Sequence, residues 1–163
     1  MSASFDHVFY SGPLDDLFAT AHGRLSYRTI HFERIDALGD FQGNPVINYT
    51  EEATPWTRIH EHKHFAPWET HERTVAFREY SKETAPGELP YYPKRLAPDK
   101  TLLARYRAMA EATPGVSFLG RLATYRYMDM ETVIGEALTF ADVIAQSPSR
   151  GAAPPSFPNR EAE

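Results

Sequence analysis

Residues 120–138, GRLATYRYMDMETVIGEAL, carry residue types that bind anions. Arg121, Tyr125 and Tyr127 stand close together in this stretch. Arginine recognises phosphate or carboxylate through a planar fork of donors, and tyrosine adds a hydroxyl. Asp129 then opens a segment with helical periodicity, and a helix N-terminus favours anions. Taken alone, however, the pattern is explained more simply by an N-cap at Asp129 and a surface ion pair at Arg121.

Two further residues and one histidine-rich segment offer polar chemistry. Arg58 follows Pro-Trp-Thr at a strand start, and Tyr92 lies in the proline-bounded turn LPYYP. On its own, Arg58 is more typical of a surface salt bridge, and the tyrosine turn is equally typical of simple packing. The segment HEHKHF repeats histidine at every second position, which on a strand would put His60, His62 and His64 on one face. We favour a polar sheet face there over a metal site, because no further ligand is apparent.

Composition narrows the function classes. The chain has 163 residues, a net charge of -5 and no long basic run, so a nucleic-acid partner is not expected. The absence of cysteine excludes disulfides, thiolate metal sites and a cysteine nucleophile. No apolar run approaches the roughly 18 residues that span a bilayer, and the first residues lack the features of a signal peptide. We therefore expect a cytoplasmic protein without a membrane partner.

Hydrophobic periodicity predicts a run of strands followed by helices. A short strand at 7–12 leads into a helix start at Pro13, and alternation predicts strands at 25–33, 45–50, 57–65 and 74–80. Because no helix separates the later strands, they favour an antiparallel sheet.

The second half of the chain is mainly helical. A proline-rich loop at 86–98 precedes a helix that Asp99 would cap and that would end near Ala112. Its inward positions would be Leu102, Leu103, Tyr106 and Ala110. A short buried strand at 116–119 and a long helix at 129–145 follow, and the Pro/Ser-rich tail 147–163 is predicted to be disordered. The fold class is therefore α+β.

The longer segments resemble a known family. In family order they match the C-terminal part of the prokaryotic UDP-galactopyranose mutases over roughly residues 7–145. The matching segments are VFYSGPLDDLF, GRLSYRTIHFE, FQGNPVINYT, PWTRIHEHKHF, REYS, LPYYP and FLGRLATYRYMDMETVIGEAL.

The resemblance implies an isomerase that interconverts UDP-galactopyranose and UDP-galactofuranose for cell-wall polysaccharide synthesis and depends on reduced FAD. It implies a fold in which an antiparallel sheet joins the C-terminal portion of an FAD-binding α/β domain that ends in a long helix. The corresponding regions are 1–24 (returning strand and short helix), 25–98 (sheet), 99–146 (helix, strand and final helix) and 147–163 (tail). A homo-oligomer is left open.

The resemblance also assigns roles to individual residues. Arg58 corresponds to a catalytic arginine near the flavin and the substrate diphosphate, and no metal is implied. Substrate-binding positions would be Arg28, Arg58, Tyr92 and Tyr127. Flavin-binding positions would be Gly120, Arg121, Asp129 and Met130.

One feature of the family is missing from the sequence. The chain contains no G-x-G-x-x-G, the fingerprint that holds the FAD pyrophosphate. Three interpretations follow: a fragment of a larger mutase that is inactive alone, one half of a split enzyme whose N-terminal half is a separate polypeptide, or a non-catalytic module that binds nucleotide sugars. We favour the first.

Overall fold

The computed structural model describes residues 5–146 and 153–158. The chain divides into two compact units. The first unit combines the chain up to Tyr27 with the chain from Pro90 onward, and the second is Arg28–Leu89. In chain order the elements are β1 (Val8–Tyr10), α1 (Leu14–Leu17), β2 (Tyr27–Leu38), β3 (Val46–Asn48), β4 (Arg58–Glu61), a 3-10 helix (His62–Phe65), β5 (Arg73–Glu83), β6 (Tyr92–Pro93), α2 (Ala97–Glu111), β7 (Val116–Phe118), α3 (Gly120–Ala123) and α4 (Met130–Ala145).

The second unit is built on an antiparallel sheet, as predicted. Its strands lie in the order β3, β4, β5, β2, and each neighbouring pair is antiparallel. The β2–β5 ladder runs from Arg28 opposite Glu83 to Leu38 opposite Arg73. Both strands continue beyond their predicted C-terminal ends, where many side chains are exposed. They remain paired there because each strand supplies hydrogen-bond partners for the backbone of the other. The α+β fold class is confirmed.

The first unit contains a small parallel sheet and most of the apolar core. β1 pairs in parallel with β7, and α2 packs Tyr106 and Ala110 fully out of water, as predicted. Leu102 and Leu103 pack against the same core. The core residues are Leu14, Leu25, Tyr27, Tyr106, Ala110, Phe118, Ala123, Tyr125 and Phe157.

Two further predicted elements have different limits. The strand predicted at 57–65 ends at Glu61, where the chain turns into a 3-10 helix. Helix α2 begins at Ala97, with Leu96 as its N-cap residue. Asp99 is therefore not the cap. It lies at the third helical position, and its carboxylate accepts the Leu96 N–H.

Part of the predicted disordered tail is instead packed. Phe157 is buried in the first unit, and its ring stacks on Phe118. Residues 147–152 and 159–163, the rest of that prediction, lie outside the described residues.

Helix α4 begins at Met130 with Asp129 as its N-cap, one residue after the predicted start, and it buries little of its apolar face. Phe140 is its only fully buried residue among those the structure describes. The stripe formed by Met130, Ile134 and Leu138 is exposed to water.

Candidate functional site

Three of the predicted site residues form one cluster in the first unit. The Arg121 guanidinium lies over the Tyr92 ring, 4.3 Å from its centroid. The Tyr92 and Tyr127 rings stack with centroids 6.0 Å apart. Tyr127 is 71% exposed, so the cluster faces water. Its cation and two phenol hydroxyls are the donors that a phosphate or diphosphate needs.

A glycine turn places Arg121 at this cluster. Gly120 follows β7 with φ of 76°, a left-handed conformation that glycine adopts without strain. The turn leads directly into α3, of which Arg121 is the second residue. Arg121 Nη1 donates to the carbonyl of Met128 at 3.3 Å, and this bond fixes the side chain across the connector.

A buried polar network behind the cluster fixes the connector. The Tyr125 hydroxyl lies 2.7 Å from the Ser26 carbonyl and 2.9 Å from Asp99 Oδ2. Asp99 also accepts the Ser26 hydroxyl and the Leu96 N–H. Burial, followed by the hydrogen bond to Asp99, raises the pKa of Tyr125 well above its ordinary value. The phenol therefore stays protonated and acts as a structural donor.

Tyr125 itself is in an unusual backbone conformation. Its φ is 52°, which places a bulky side chain in the left-handed region. The buried hydroxyl contacts and an edge-to-face packing on Tyr27, with centroids 5.3 Å apart, offset this strain. Tyr127, two residues later, is exposed to solvent.

A second network anchors Tyr27. The buried carboxylate of Asp15 accepts the Tyr27 hydroxyl at 2.8 Å and the Leu25 N–H at 3.0 Å. Burial and the Asp15 charge raise the pKa of Tyr27 far above its ordinary value. The sequence indicated Asp15 only as a residue of a helix start, and Asp99 only as a cap. Their core roles depend on partners that are distant in sequence.

Asp129 and Met130 lie at the start of α4. Asp129 is the N-cap, and its Oδ1 accepts the Thr132 N–H at 2.8 Å. This hydrogen bond lowers the pKa of Asp129. Met130 is 82% exposed. The other N–H groups of the first helical turn have no partner within the helix, as at any helix start.

A cavity of about 300 Å³ lies at the carboxyl ends of β1 and β7 beside α4. Its lining is mainly apolar, with Gly120 at one side. Glu136 also lines it and is paired with Arg126. The lining residues are Phe9, Tyr10, Ser11, Leu119, Gly120, Val133, Glu136 and Ala137.

The other two predicted arginines belong to the second unit. Arg58 stands directly opposite Glu79 in the β4–β5 ladder, and its Nε lies 3.2 Å from Glu79 Oε1. Arg28 stands opposite Glu83 in the β2–β5 ladder and also donates to Ser81. Because Glu79, Ser81 and Glu83 alternate along β5, both arginines lie on the same face of this sheet.

Sequence reasoning did not single out Glu79, which contacts the candidate residue Arg58. Its carboxylate is almost fully buried and lies 3.1 Å from His60 Nε2 and 3.1 Å from the Thr57 hydroxyl. Thr57, Arg58 and His60 therefore all contact the Glu79 carboxylate, which holds the Arg58 side chain in place. The only sequence signal was the REYS segment in the family resemblance.

The three histidines do not converge. His60 bonds to Glu79, His62 packs on the Phe77 ring, and His64 approaches Glu61 at 3.5 Å. The strand ends at Glu61, so the alternation that would align the imidazoles is interrupted. Within the described residues Asp40, Glu61 and His64 are close enough to share an ion. Lys63 Nζ already lies 2.5 Å from Asp40 Oδ1 and supplies the positive charge there.

Glu61 instead holds a loop in place. Its fully buried carboxylate accepts the N–H groups of Phe41, Gln42 and Gly43. It also accepts the Thr74 hydroxyl at 2.6 Å. These hydrogen bonds outweigh the cost of burial and lower the pKa of Glu61 to about 2.

A profile of the UDP-galactopyranose mutases matches residues 1–127 of the chain. The chain belongs to this family. A probable UDP-galactopyranose mutase of Klebsiella pneumoniae is 48% identical over 143 residues, which are 88% of this chain and 37% of the relative. The UDP-galactopyranose mutase of Mycoplasma pneumoniae is 36% identical over 148 residues, or 85% of this chain and 36% of the relative.

Another relative carries a different substrate in its name. A dTDP-fucopyranose mutase of Escherichia coli is 40% identical over 143 residues, covering 87% of this chain and 38% of the relative. This member of the UDP-galactopyranose mutase family therefore spans little more than a third of the length of the curated relatives that it matches. Across the residues that the structure describes, no helix combines the length and apolar character that crossing a membrane requires.

Proposed function

We propose that this chain is the C-terminal portion of a UDP-galactopyranose mutase and supplies one wall of the site for the nucleotide sugar and flavin. It is inactive until a separate N-terminal portion completes the site. The observation that carries the proposal is the exposed cluster of Arg121, Tyr92 and Tyr127. The resemblance assigns Tyr92 and Tyr127 to the substrate and Arg121 to the flavin, and in the first unit Tyr92 contacts both Arg121 and Tyr127.

The cluster suits a diphosphate because its cation is not neutralised. Within the described part of the chain, Arg121 has no carboxylate partner and contacts only a carbonyl and an aromatic ring. Its remaining N–H donors are available to an anion. Tyr92 and Tyr127 add hydroxyls beside it, so UDP-galactopyranose and UDP-galactofuranose are the proposed ligands.

Arg58 and Arg28 serve the substrate differently in this proposal. Each is held on the sheet by a carboxylate, Glu79 for Arg58 and Glu83 for Arg28. A pre-positioned guanidinium loses less side-chain freedom when it binds a phosphate than a free one. Arg58 is the proposed catalytic residue, which positions the diphosphate and the flavin, and Arg28 is an additional substrate contact.

The residues at the ends of β1 and β7 fit part of a flavin. Gly120 allows the backbone to approach a ligand closely, and the adjoining cavity is apolar and about 300 Å³ in volume. Gly120 and Arg121 would contact the cofactor, and the start of α4 at Asp129 and Met130 would face its anionic edge. When bound, reduced FAD supplies the electron pair that reacts with the anomeric carbon of the sugar. The C-terminal portion of an FAD-type α/β domain is the proposed identity of the first unit.

A non-catalytic binding module is the alternative function. It is favoured by one observation: the cluster of Arg121, Tyr92 and Tyr127 forms within this chain, without any added polypeptide. Such a module would bind UDP on its own and purify without flavin absorbance.

Complementation tests the proposal directly. The chain is mixed with the N-terminal portion of the Klebsiella pneumoniae relative that has no counterpart here, together with reduced FAD and UDP-galactofuranose. We expect UDP-galactopyranose to form in the mixture and not with either portion alone. An Arg121→Lys variant, which loses the planar fork, should raise KM roughly 10- to 100-fold. Arg34→Lys, an exposed residue of the other unit, is the matched control.

Two outcomes would decide against the mutase proposal. One is a complemented mixture that binds flavin, as judged by its absorbance spectrum, yet shows no turnover. The other is equal turnover in the Arg121→Lys and Arg34→Lys mixtures. Tight binding of UDP by the chain alone, without turnover after complementation, would establish the binding module instead.

A further inference from the structure

The edge of β7 that faces away from β1 is covered by a distant part of the same chain. The Val8 N–H donates to the Gly115 carbonyl and the Leu119 N–H donates to the Tyr10 carbonyl, so the odd-numbered residues along 115–119 bond to β1. The Phe118 N–H points to the opposite, outer edge. There it donates to the Ser156 carbonyl at 2.7 Å. Residues 153–158, called the strap below, therefore occupy the outer edge of β7.

A second hydrogen bond ties the strap to β7. The buried Ser117 hydroxyl lies 2.6 Å from the Pro155 carbonyl and 2.9 Å from His7 Nε2. A carbonyl can only accept, so the Ser117 hydroxyl donates to Pro155 and the His7 ring nitrogen donates to Ser117. The contact thus connects the strap, β7 and the residue before β1.

An aromatic side chain anchors the strap. The Phe157 ring is 7% exposed and stacks on Phe118 with centroids 5.3 Å apart. The Arg107 guanidinium of α2 covers it, 4.9 Å from the centroid. Phe157 is part of the same core cluster as Tyr106 and Leu14. The outer edge of β7 therefore adjoins an aromatic pocket of the core.

The composition of the strap limits it to a short contact. Pro154, Pro155 and Pro158 have no backbone N–H, so the strap cannot extend a ladder along β7. Among the described residues, a single backbone hydrogen bond joins the strap to β7. Prolines at an edge also prevent a further strand from adding to the strap. A contact of this kind covers an edge and can be exchanged for a longer strand.

We propose that the outer edge of β7 is a binding site for an extended peptide with an aromatic anchor. The chain fills this site with its own strap, and another polypeptide strand gains the edge only by displacing it. Recognition is by strand addition, in which the Phe118 N–H pairs with the peptide backbone and the Phe157 pocket selects an aromatic side chain. The inference does not depend on the proposed function.

Peptide rescue in trans tests the site. The chain is truncated after Ala152, and hydrogen exchange of the Phe118 amide is followed by NMR with and without an acetylated Ala-Pro-Pro-Ser-Phe-Pro peptide. We expect exchange to be roughly tenfold or more faster in the truncated chain and to return toward the intact rate with saturating peptide. A peptide with the Phe157→Ala change should not rescue, and the intact chain should not bind the peptide.

Two variants of the full-length chain test the same site without requiring the truncated chain to fold. Phe157→Ala removes the anchor and should accelerate Phe118 exchange by a similar factor. Ser156→Ala keeps the backbone carbonyl that accepts the Phe118 N–H and should leave exchange unchanged. Equal exchange in both variants, or a folded truncated chain that neither changes Phe118 exchange nor binds the peptide, would overturn the proposal. Recovery of folding on peptide addition would support it.

Discussion

The cluster of Arg121, Tyr92 and Tyr127 depends on residues that never touch a ligand in our proposal. Tyr125 is one of these, because its hydroxyl joins the connector to Ser26 and Asp99. The same residue has a left-handed backbone conformation, so its side-chain contacts offset a local strain. Tyr125 therefore links core stability to the geometry of the exposed pair.

Removing the Tyr125 hydroxyl should destabilise the first unit. The Tyr125→Phe variant keeps the ring and loses the buried hydrogen bonds, at a cost of about 1–2 kcal/mol. For a chain of this size, we expect the midpoint of thermal unfolding to fall by roughly 3–6 °C, as measured by calorimetry.

Tyr127→Phe is the matched control for that prediction. Its hydroxyl is on a 71% exposed side chain, so its loss should leave the unfolding midpoint unchanged. Equal midpoints for the Tyr125 and Tyr127 variants would contradict the structural role assigned to Tyr125.

Glu61 links stability to pH in the second unit. Its pKa is lowered from 4.5 to about 2 by four donors, so the native state resists protonation more than the unfolded chain does. As the pH falls below 4.5, the unfolded chain takes up a proton that the native state does not. The contribution of Glu61 to stability is therefore present above pH 4.5 and is lost progressively toward pH 2.

The Glu61→Gln variant checks both the size and the pH window of this contribution. An amide cannot accept all four donors, and we expect a loss of about 3 kcal/mol at pH 7. The difference in free energy of unfolding between the two proteins should shrink as the pH is lowered from 4.5 toward 2, as measured by urea denaturation.

Glu69→Gln serves as the control for Glu61. Glu69 is exposed and pairs with His71, so its replacement should change stability by less than about 0.5 kcal/mol. A constant difference between wild type and Glu61→Gln across pH 2–7 would show that the Glu61 pKa is not lowered.

At the scale of elements, helix α4 shows that an apolar stripe does not establish burial. Its periodicity correctly predicted a helix, and its Asp129 cap is in place. Phe140 is buried, whereas Ile134 and Leu138 are exposed to water. Amphipathicity indicates a face that needs a partner, and the partner can lie on another polypeptide.

Two substitutions on α4 compare the contributions of its buried and exposed faces to stability. Phe140→Ala should cost about 3–5 kcal/mol, because it removes a buried ring that packs edge-on against Phe9. Leu138→Gln should change the free energy of unfolding by less than about 0.5 kcal/mol. Chemical denaturation of both variants measures this, and a Leu138→Gln cost comparable with that of Phe140→Ala would show that the stripe is covered in solution.

At the scale of the whole molecule, the chain matches about 37% of the Klebsiella pneumoniae relative and exposes a continuous apolar stripe on α4. Exposed stripes of this kind drive association. We expect the mean mass measured by light scattering to rise with protein concentration.

The double variant Ile134→Gln/Leu138→Gln should weaken that rise without lowering stability. Replacing two still more exposed apolar residues elsewhere, Trp68→Gln and Leu89→Gln, is the control for a general change in surface polarity. If the control suppresses association as strongly as the α4 variant does, the stripe is not the associating surface.

The local pattern was enough to predict most elements. Alternation predicted the antiparallel sheet, and helical periodicity predicted α2 and α4, because each pattern follows from the geometry of a single element. The predictions were wrong where a residue distant in sequence determines the local structure. Glu61 ends its strand among loop N–H groups from residues 41–43, and Asp99 bonds to Ser26 across 73 positions of sequence.

The sequence by itself determined the family, the α+β class and the residue types of the candidate site. The segment matches and the periodicities that carry these conclusions are local properties of the chain. Only the tertiary structure decided that Arg121, Tyr92 and Tyr127 stack together, that Glu79 holds Arg58, and that residues 153–158 cover β7. Those contacts join residues far apart in the chain, and their existence depends on how the core packs.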